Sequence, residues 1–258
     1  MKELLRKIYW LLSYQFGIDP RRMIRSVIGV PHFVRDLIVF RKRYNGKIVL
    51  LPCLHDWNED GGSTKSEYFW QDIYVAQQIH VENPDKHVDI GSRIDGFVAH
   101  VASFRKIEVF DIRPVNPLIP NVVFRQADLM MPLNEYNDYC DSISCLHALE
   151  HFGLGRYGDP IDPFGHISGL KNISKILKKN GLLYLSVPIG VERVEFNANR
   201  VFNPKALVEL AASNGLVLRK FASIGKKSAL AESNNAEQDI KVLAEQPYTL
   251  GIFIFVKQ

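Results

Sequence analysis

The stretch HVDIGSRIDGF, residues 87–97, decides how the rest of the chain is interpreted. Its start, HVDI, predicts a strand, and Gly91 and Gly96 then bracket a turn that leads into an apolar helix. Glycine lets the backbone approach a ligand closely, and a helix that begins at such a turn presents free N–H groups. The stretch therefore predicts a strand–turn–helix corner of the kind that binds nucleotide-like molecules.

Strands and helices alternate through the rest of the chain. Strands are predicted at 87–92, 107–112, 122–128, 141–146, 182–187, 216–221 and 250–256. Helices are predicted from residue 69 to just before Pro84, and at 96–104, 164–180 and 204–215. The strands are apolar along nearly their whole length, which is typical of a doubly wound, mostly parallel sheet. Residues 226–247 are polar and are interpreted as an insertion before the last strand.

The N-terminal part of the chain differs from the rest in charge. Residues 1–47 carry eleven Lys and Arg against three Asp and Glu, whereas the remainder has 21 against 25. The arm has apolar residues at helical spacing, with interruptions expected at Pro20 and Pro31. We therefore expect two parts, a basic helical extension (1–47) and a larger domain (48–258) that contains the alternating strands and helices. The extension suits an anionic membrane surface or a solvated cap over the site, and nucleic acid is the least favoured partner.

Composition places the chain in a reducing compartment. The 258 residues are 47% apolar, which is enough for one sizeable core and an appendage. The three cysteines lack metal-type spacing, and no apolar run approaches the length of a spanning helix or of a signal peptide's apolar region. We expect a cytoplasmic protein that can be peripheral at the inner membrane face.

Two classes of cofactor use a glycine corner of this kind. Dinucleotide enzymes require GxGxxG, and here Arg93 stands where the middle glycine would be. S-adenosylmethionine instead requires an acid for its ribose and a polar contact for its adenine. Asp111 ends the second strand and can accept from both ribose hydroxyls. Asp128 ends the third strand, where it can accept from the adenine amino group, with Leu129 against the ring.

The corner itself supplies the remaining cofactor-binding candidates. These are Asp89, Gly91, Ser92, Arg93 and Gly96, with Arg93 a candidate for the methionine carboxylate. The alternative is structural: Asp89 only braces the turn, and Asp111 and Asp128 are ordinary acids at exposed strand ends.

Three stretches together carry a resemblance to a known family. HVDIGSRIDGFVAHVASF (87–104), EVFDIRP (108–114) and HALEHFGLGRYGDPIDP (147–163) resemble a family of unknown function, first described from nematode and some bacterial proteins. That family is assigned to the class I S-adenosylmethionine-dependent methyltransferases. The resemblance covers roughly residues 50–258. It implies a Rossmann-like, seven-stranded, mostly parallel sheet whose last strand is antiparallel, with S-adenosylmethionine as the cofactor.

The segment LHALEHFGLGRYGDPIDPFGH, residues 146–166, carries the densest chemistry. It follows the fourth strand, at the sheet edge where ligands bind in open α/β folds. A hydroxyl acceptor needs a base, and a histidine with a near-neutral pKa suits that role. We assign the base to His151, with Glu150 orienting it, and rank His147 second.

Other roles for this segment remain open. The histidines can pack at the strand end, and Glu150 can cap a helix. Asp159, Asp162 and His166 could join His151 and Glu150 as ligands of a divalent metal, but no spacing is diagnostic and no metal is assigned. Arg156 could hold an anionic acceptor, and Arg113 could form a surface ion pair. The aromatic residues of HDWNEDGGSTKSEYFW (55–70) suit a sugar face or core packing.

The sequence therefore predicts an S-adenosylmethionine-dependent methyltransferase. The acceptor is expected to be a small molecule, or a glycan or glycan precursor of surface polysaccharide biosynthesis, which can be anionic and is methylated on oxygen. The alternatives are a sugar-nucleotide or NAD-binding Rossmann enzyme and a non-catalytic binding module with the same fold.

Overall fold

The structure is a computed structural model that describes residues 8–58, 64–114, 118–225 and 229–258. Residues 1–7 of the predicted extension and 226–228 of the predicted insertion lie outside the described residues. Contacts divide the chain into two compact units, Met1–Ser63 and Thr64–Gln258. The domain boundary expected after residue 47 stays a prediction, since compactness alone does not define a functional domain.

The N-terminal unit is helical. A π-helical turn, Leu11–Gln15, precedes helix α1, Pro20–Arg41, and a 3₁₀ turn spans Asp56–Asn58. Asp19 caps α1 by accepting from the backbone N–H groups of Arg21 and Arg22. Pro20 occupies the first helical position, so the break expected there is found.

The interruption expected at Pro31 is wrong, because α1 continues through it. Proline removes one helical hydrogen bond, which leaves the carbonyl of Val27 without its usual partner. Val27 is 72% exposed. Water can therefore satisfy that carbonyl, and the helix persists.

The C-terminal unit contains five helices and ten strands among its described residues. The helices are α2 (Glu67–Glu82), α3 (Ala99–Ala102, after a π-helical turn Ile94–Val98), α4 (Gly165–Ile176), α5 (Pro204–Ala212) and α6 (Ala236–Ala244). The strands are β1 (His87–Ile90), β2 (Ile107–Asp111), β3 (Val122–Gln126), β4 (Cys140–Leu146), β5 (Leu177–Ile189), β6 (Arg193–Glu195), β7 (Asn199–Val201), β8 (Leu216–Ile224), β9 (Leu230–Glu232) and β10 (Thr249–Lys257).

The main sheet has eight strands in the order β3-β2-β1-β4-β5-β10-β8-β9. The β1–β5 strands pair in parallel, and β10 runs antiparallel to both β5 and β8. All seven predicted strands are present, and β9 adds an eighth at the edge. Strands β6 and β7 form a separate hairpin. The parallel strands place their carboxyl ends, which include Asp111 and Leu146, at one edge of the sheet.

Two predicted segments differ from the structure. The helix expected at 164–180 ends at Ile176, because the buried Leu177 already pairs with Cys140 in the sheet. The polar insertion expected at 226–247 contains β9 and α6. Helix α6 is amphipathic, and its Ile240 is buried in the core. The sequence analysis did not predict this helix because its few apolar residues are spaced among many polar ones.

Apolar side chains pack on the sheet in two separate clusters of buried residues. Among the described residues, no helix has both the length and the apolarity that crossing a membrane requires.

Candidate active site

The buried carboxyl of Asp89 stabilises the turn after β1 through hydrogen bonds. Asp89 is fully buried and accepts from the backbone N–H and the hydroxyl of Ser92, and from the hydroxyl of Ser144 on β4. Burial raises the pKa of Asp89 to about 7. Gly91 follows with φ +70°, a conformation that favours glycine. The hydrogen bonds between Asp89 and Ser92 therefore stabilise the conformation of the turn.

The second glycine of the corner allows a buried carboxyl to approach the backbone. A Cβ at Gly96 would lie 2.9 Å from the Oδ2 atom of Asp72 on α2. Burial raises the pKa of Asp72, which the sequence analysis did not select. Arg93 lies on the surface, where its Nη2 atom is 2.7 Å from Oδ2 of Asp95, and both side chains are exposed. The guanidinium proposed for the methionine carboxylate is thus engaged by a neighbouring acid.

Asp111 lies at the end of β2, and its carboxylate is bound by Arg113. The backbone N–H and Nε of Arg113 donate to Oδ1 of Asp111 over 2.8 and 3.0 Å, and Nη2 donates to Oδ2 over 2.5 Å. Nη2 also donates to the carbonyl of Gly91 over 3.2 Å. The Arg113 guanidinium therefore bridges the carboxyl ends of β1 and β2.

The third strand contributes a turn at the same edge. Oδ1 of Asp128 accepts from the backbone N–H of Met130 over 2.9 Å. Leu129 is buried, and its carbonyl accepts from Asn172 on α4. One oxygen of Asp128 is thus used by the turn, while Leu129 is part of the core cluster.

After β4, one carboxylate serves two histidines. Glu150 is fully buried, and its Oε1 atom is 2.8 Å from Nδ1 of His147 and 3.8 Å from Nε2 of His151. Burial alone would lower the pKa of His147, but the hydrogen bond that its Nδ1 donates to Glu150 and the charges of Glu150 and Glu67 outweigh it and raise that pKa. His147 therefore protonates more readily than an ordinary histidine, and its two ring nitrogens face the carboxylates of Glu150 and Glu67.

His151 has the opposite protonation behaviour. Burial lowers its pKa, and the charge of Arg156 adds to this against the opposing effect of Glu150. Nδ1 of His151 lies 2.8 Å from the carbonyl of Ala198 on the β6–β7 hairpin. The carbonyl can only accept, so Nδ1 carries the proton and Nε2 keeps its lone pair. His151 is thus a neutral base of defined tautomer.

Tyr157 links the two halves of this edge. Its ring centroid lies 5.5 Å from that of His151, in an edge-on arrangement, and Cζ of Arg113 lies 4.5 Å from the ring. The Tyr157 ring therefore connects Arg113, at the end of β2, with His151.

The loop between Gly153 and Phe164 is fixed by its own polar groups. Oδ2 of Asp159 accepts from the backbone N–H groups of Gly153 and Gly155, and Oδ1 of Asp162 accepts from Phe164. The buried guanidinium of Arg200 donates to carbonyls of this loop, the shortest bond being 2.6 Å to Phe152. The aspartates therefore shape the loop, and no three His, Cys, Asp or Glu side chains of the described chain are placed to hold a metal.

Three residues close to the histidines were not found by the sequence analysis in these roles. Glu67 lies 3.6 Å from Nε2 of His147 and accepts from the hydroxyl of Tyr248 over 2.5 Å. Tyr68 packs its ring 4.4 Å from that of His147. Only Tyr68 had a signal, as a member of the aromatic stretch 55–70, and that signal did not predict its partner.

The opposite pKa shifts of the two histidines predict separate titrations. NMR of ¹⁵N-labelled protein is expected to show His147 titrating above about 6.5, the ordinary histidine value, and His151 below it. Glu150→Gln removes a charge that raises both pKa values, so both should fall, that of His147 by more because it is nearer. Glu209→Gln, at an exposed carboxylate, should change neither. A His151 that titrates above His147 would contradict this assignment.

Comparison with known proteins assigns this chain to a family. The sequence model of one family, described as Caenorhabditis protein of unknown function DUF268, matches residues 122–250, which is half of the 258-residue chain. The chain belongs to the DUF268 family. The stretch at 147–163 that suggested the resemblance lies within the DUF268 match, whereas 87–104 and 108–114 lie before it. A search of curated proteins finds no match to this DUF268 chain.

Solved structures share the fold at low sequence identity. The 1,6-didemethyltoxoflavin N1-methyltransferase of Burkholderia thailandensis, solved with S-adenosylhomocysteine, matches with a TM-score of 0.53 and 13% identity, over 75% of this chain and 79% of that one. The [4+2]-cyclase SpnF matches with a TM-score of 0.54 and 14% identity, over 78% and 86%. These likenesses show the fold alone. The Rossmann-like class I methyltransferase fold predicted for this DUF268 protein is confirmed.

Proposed function

We propose that this DUF268 protein transfers a methyl group from S-adenosylmethionine to an acceptor hydroxyl, with His151 as the base. The observation that carries the proposal is the neutral His151 at the carboxyl end of β4, whose Nε2 lone pair is fixed by the Ala198 carbonyl. It stands at the edge where open α/β folds bind their ligands, joined through Tyr157 to the end of β2.

The residues at the end of β2 fit the ribose of this cofactor. Asp111 presents two carboxylate oxygens, which now accept from two N–H groups of the Arg113 side chain. A ribose diol offers two hydroxyl donors to the same pair of acceptors. Binding would therefore require the Arg113 side chain, which is 39% exposed, to swing away from Asp111. Asp128 and Leu129 are the proposed adenine contacts, and Gly91 the proposed point of close approach.

The chain's own groups supply the proton chemistry. S-adenosylmethionine, when bound, supplies an electrophilic methyl group and leaves as S-adenosylhomocysteine. Nε2 of His151 takes the proton of the acceptor hydroxyl as that oxygen bonds to the methyl carbon. The imidazolium that forms is stabilised by the Glu150 carboxylate 3.8 Å away, while the Ala198 carbonyl keeps its bond to Nδ1–H. His147, whose pKa is raised, contacts Glu150 over 2.8 Å and is assigned the role of holding that carboxylate in place.

The proposed acceptor is a glycan or glycan precursor of surface polysaccharide biosynthesis, and it can be anionic. The rings of Tyr68 and Tyr157 are each 38% exposed beside the histidines, and aromatic faces suit the C–H face of a sugar. Arg156 lies next to His151 and donates to the same Ala198 carbonyl, so it can respond to an anionic group there. The proposed location is the cytoplasm, at the inner membrane face.

A second candidate function is a different chemistry on the same fold. SpnF, a [4+2]-cyclase by name, matches this chain with a TM-score of 0.54, so the fold does not fix the reaction. The Arg113–Asp111 pair would also suit a chain that has lost cofactor binding and serves as a binding module.

Calorimetric titration of the full chain with S-adenosylhomocysteine, NAD and UDP-glucose distinguishes a methyltransferase from a NAD-binding or sugar-nucleotide-binding protein. Saturable binding of S-adenosylhomocysteine alone is expected. Transfer of tritium from labelled S-adenosylmethionine to a panel of sugar nucleotides and polyprenyl-linked sugars then tests the acceptor. Binding of NAD or UDP-glucose without S-adenosylhomocysteine would overturn the methyltransferase proposal.

Asp111→Ala is expected to weaken S-adenosylhomocysteine binding by about 10- to 100-fold, the value of losing charge-assisted hydrogen bonds to two hydroxyls. Calorimetry measures the change. Asp141→Ala serves as the control, because its carboxylate accepts from the backbone of Asp85 and Lys86 at the opposite end of the strands. Equal affinities for the Asp111 variant and the unaltered protein would remove Asp111 from the site.

Arg113→Ala is expected to act in the opposite direction. Removal of the guanidinium frees the Asp111 carboxylate from a competitor, so affinity for S-adenosylhomocysteine should rise by about fivefold, a fraction of one charge-assisted hydrogen bond. Arg219→Ala, which breaks an ion pair with Glu82 elsewhere in the unit, should leave the affinity unchanged. A weaker binding in Arg113→Ala would instead make Arg113 a direct cofactor contact.

A further inference from the structure

The longest helix of the N-terminal unit exposes its apolar side. Met23, Val27, Val30, Val34 and Ile38 recur at spacings of three and four residues and therefore share one side of α1. Their exposed fractions are 62, 72, 43, 46 and 54%. An amphipathic helix of a globular protein normally buries such a stripe, so this one is available to another apolar phase.

The unit packs its own chain on the opposite, polar side of α1. Gly29 lies directly against the backbone of Leu54, so closely that a Cβ there would be 1.8 Å from the Leu54 carbonyl oxygen. His32 stacks on Trp57 with ring centroids 4.4 Å apart. The loop that could have covered the apolar stripe thus packs on the polar face. The stripe stays exposed along its length, and near its end Ile38 lines a cleft with residues that follow α1.

An aromatic turn before α1 adds to the exposed apolar surface. The rings of Trp10 and Tyr14 stack at 5.3 Å, and Tyr14 and Phe16 are 62 and 66% exposed. Tryptophan and tyrosine are enriched where a bilayer meets water. The described residues 8–58 also carry eight Lys and Arg against three Asp and Glu, so the unit is attracted to an anionic surface.

A cleft at the end of α1 combines both properties. Its volume is about 630 Å³, its walls include Leu37, Ile38, Ile48 and Leu50, and its cations are Arg41, Lys42 and Lys47. A lining that combines apolar and cationic side chains fits an anionic amphiphile, which has a phosphate at one end and hydrocarbon at the other.

We propose that the N-terminal unit docks on an anionic phospholipid bilayer. The apolar stripe of α1 lies among the acyl chains near the headgroups, and the cations of the cleft bind a headgroup phosphate. The charge and the aromatic turn favour lipid over a second copy of the chain, since two copies would bring two basic units together. This inference identifies which surface would hold the protein at the proposed membrane location, and it does not depend on the methyl-transfer chemistry.

Sedimentation of the full chain with phosphatidylcholine vesicles, with and without phosphatidylglycerol, tests the proposal. Binding is expected only with phosphatidylglycerol and should weaken as sodium chloride screens the charges. Val27→Glu with Val34→Glu should lower the partition coefficient by about tenfold or more, because two carboxylates would enter the apolar phase. Val81→Glu with Val242→Glu is the matched control, since both positions are exposed in the other unit and change the net charge equally.

A second pair of variants separates the headgroup cleft from general charge. The double variant Lys42→Gln with Lys47→Gln removes two cations of the cleft, and Lys178→Gln with Lys179→Gln removes two exposed lysines of the C-terminal unit. The cleft variant should lower vesicle binding about fivefold more than the control, which is about the effect of one Lys at an anionic headgroup. Inorganic phosphate at matched ionic strength should not displace the protein from vesicles, because it lacks the hydrocarbon part.

Three results would overturn the proposal. The first is no sedimentation with phosphatidylglycerol vesicles at low salt. The second is equal binding by the stripe variant and its Val81/Val242 control, with both folded by circular dichroism. The third is a lipid-free dimer that only the stripe variant breaks, which would assign the stripe to a second copy of the chain.

Discussion

Replacement of His151 by glutamine is expected to lower methyl transfer by about 100-fold or more, while affinity for S-adenosylhomocysteine stays within about twofold. Glutamine keeps polar bulk but cannot take the hydroxyl proton. The lowered pKa of His151 and its fixed tautomer make it the proposed base, whereas Glu150 and Glu67 raise the pKa of His147. The measurement is tritium transfer from labelled S-adenosylmethionine to the acceptor that the panel identifies.

Two comparisons make that result specific. His80→Gln, at an exposed histidine on α2, should leave transfer unchanged. The acid limb of the rate profile for the unaltered protein should lie below pH 6.5, because the pKa of His151 is lowered and the base is active only when unprotonated. Full transfer by the His151 variant, with cofactor binding intact, would mean that the acceptor needs no base or that another group supplies it.

Gly153→Ala is expected to lower the free energy of unfolding by about 3 kcal/mol, near the upper end of ordinary single substitutions. Gly153 has φ +77°, and a Cβ there would lie 1.9 Å from the backbone oxygen of Asp162. The backbone must therefore move, and the hydrogen bond from Asp162 N–H to the Gly153 carbonyl is lost with it. Urea unfolding measures the change.

Gly158→Ala in the same loop is the matched comparison. Gly158 has φ +82°, but nothing lies within 4 Å of its added Cβ. That variant should lose only the cost of the left-handed backbone, about 1 kcal/mol. The difference between the two isolates the effect of the clash with the Asp162 backbone. Equal losses for the two variants would mean that the loop gives way freely at Gly153.

The sheet could be predicted from the sequence because its signals are local. Each predicted strand is an apolar run of a few residues between turn residues, and the mostly parallel pairing follows from alternation with helices. Helix α6 was missed because one buried residue, Ile240, orders a polar segment. Its anchoring is a tertiary effect that a local pattern reveals only weakly.

The candidate site was predictable only in part, for a similar reason. The motif placed His147, Glu150 and His151 after β4, but it did not indicate which histidine would have the raised pKa. That difference depends on Glu67, which lies 80 residues away along the chain from His147, and on a carbonyl from the β6–β7 hairpin. The ion pair considered for Arg113 exists, but the sequence analysis did not identify its partner as Asp111, only two residues away.

The oxygen that orients His151 belongs to the main chain of Ala198. Every amino acid carries that oxygen, so residue 198 is free to differ among related proteins without loss of the hydrogen bond. Evolutionary comparison of side chains would therefore overlook the group that sets the tautomer. A comparison should follow the length of the hairpin instead, because the Ala198 carbonyl lies in the turn between β6 and β7 and its position depends on that length.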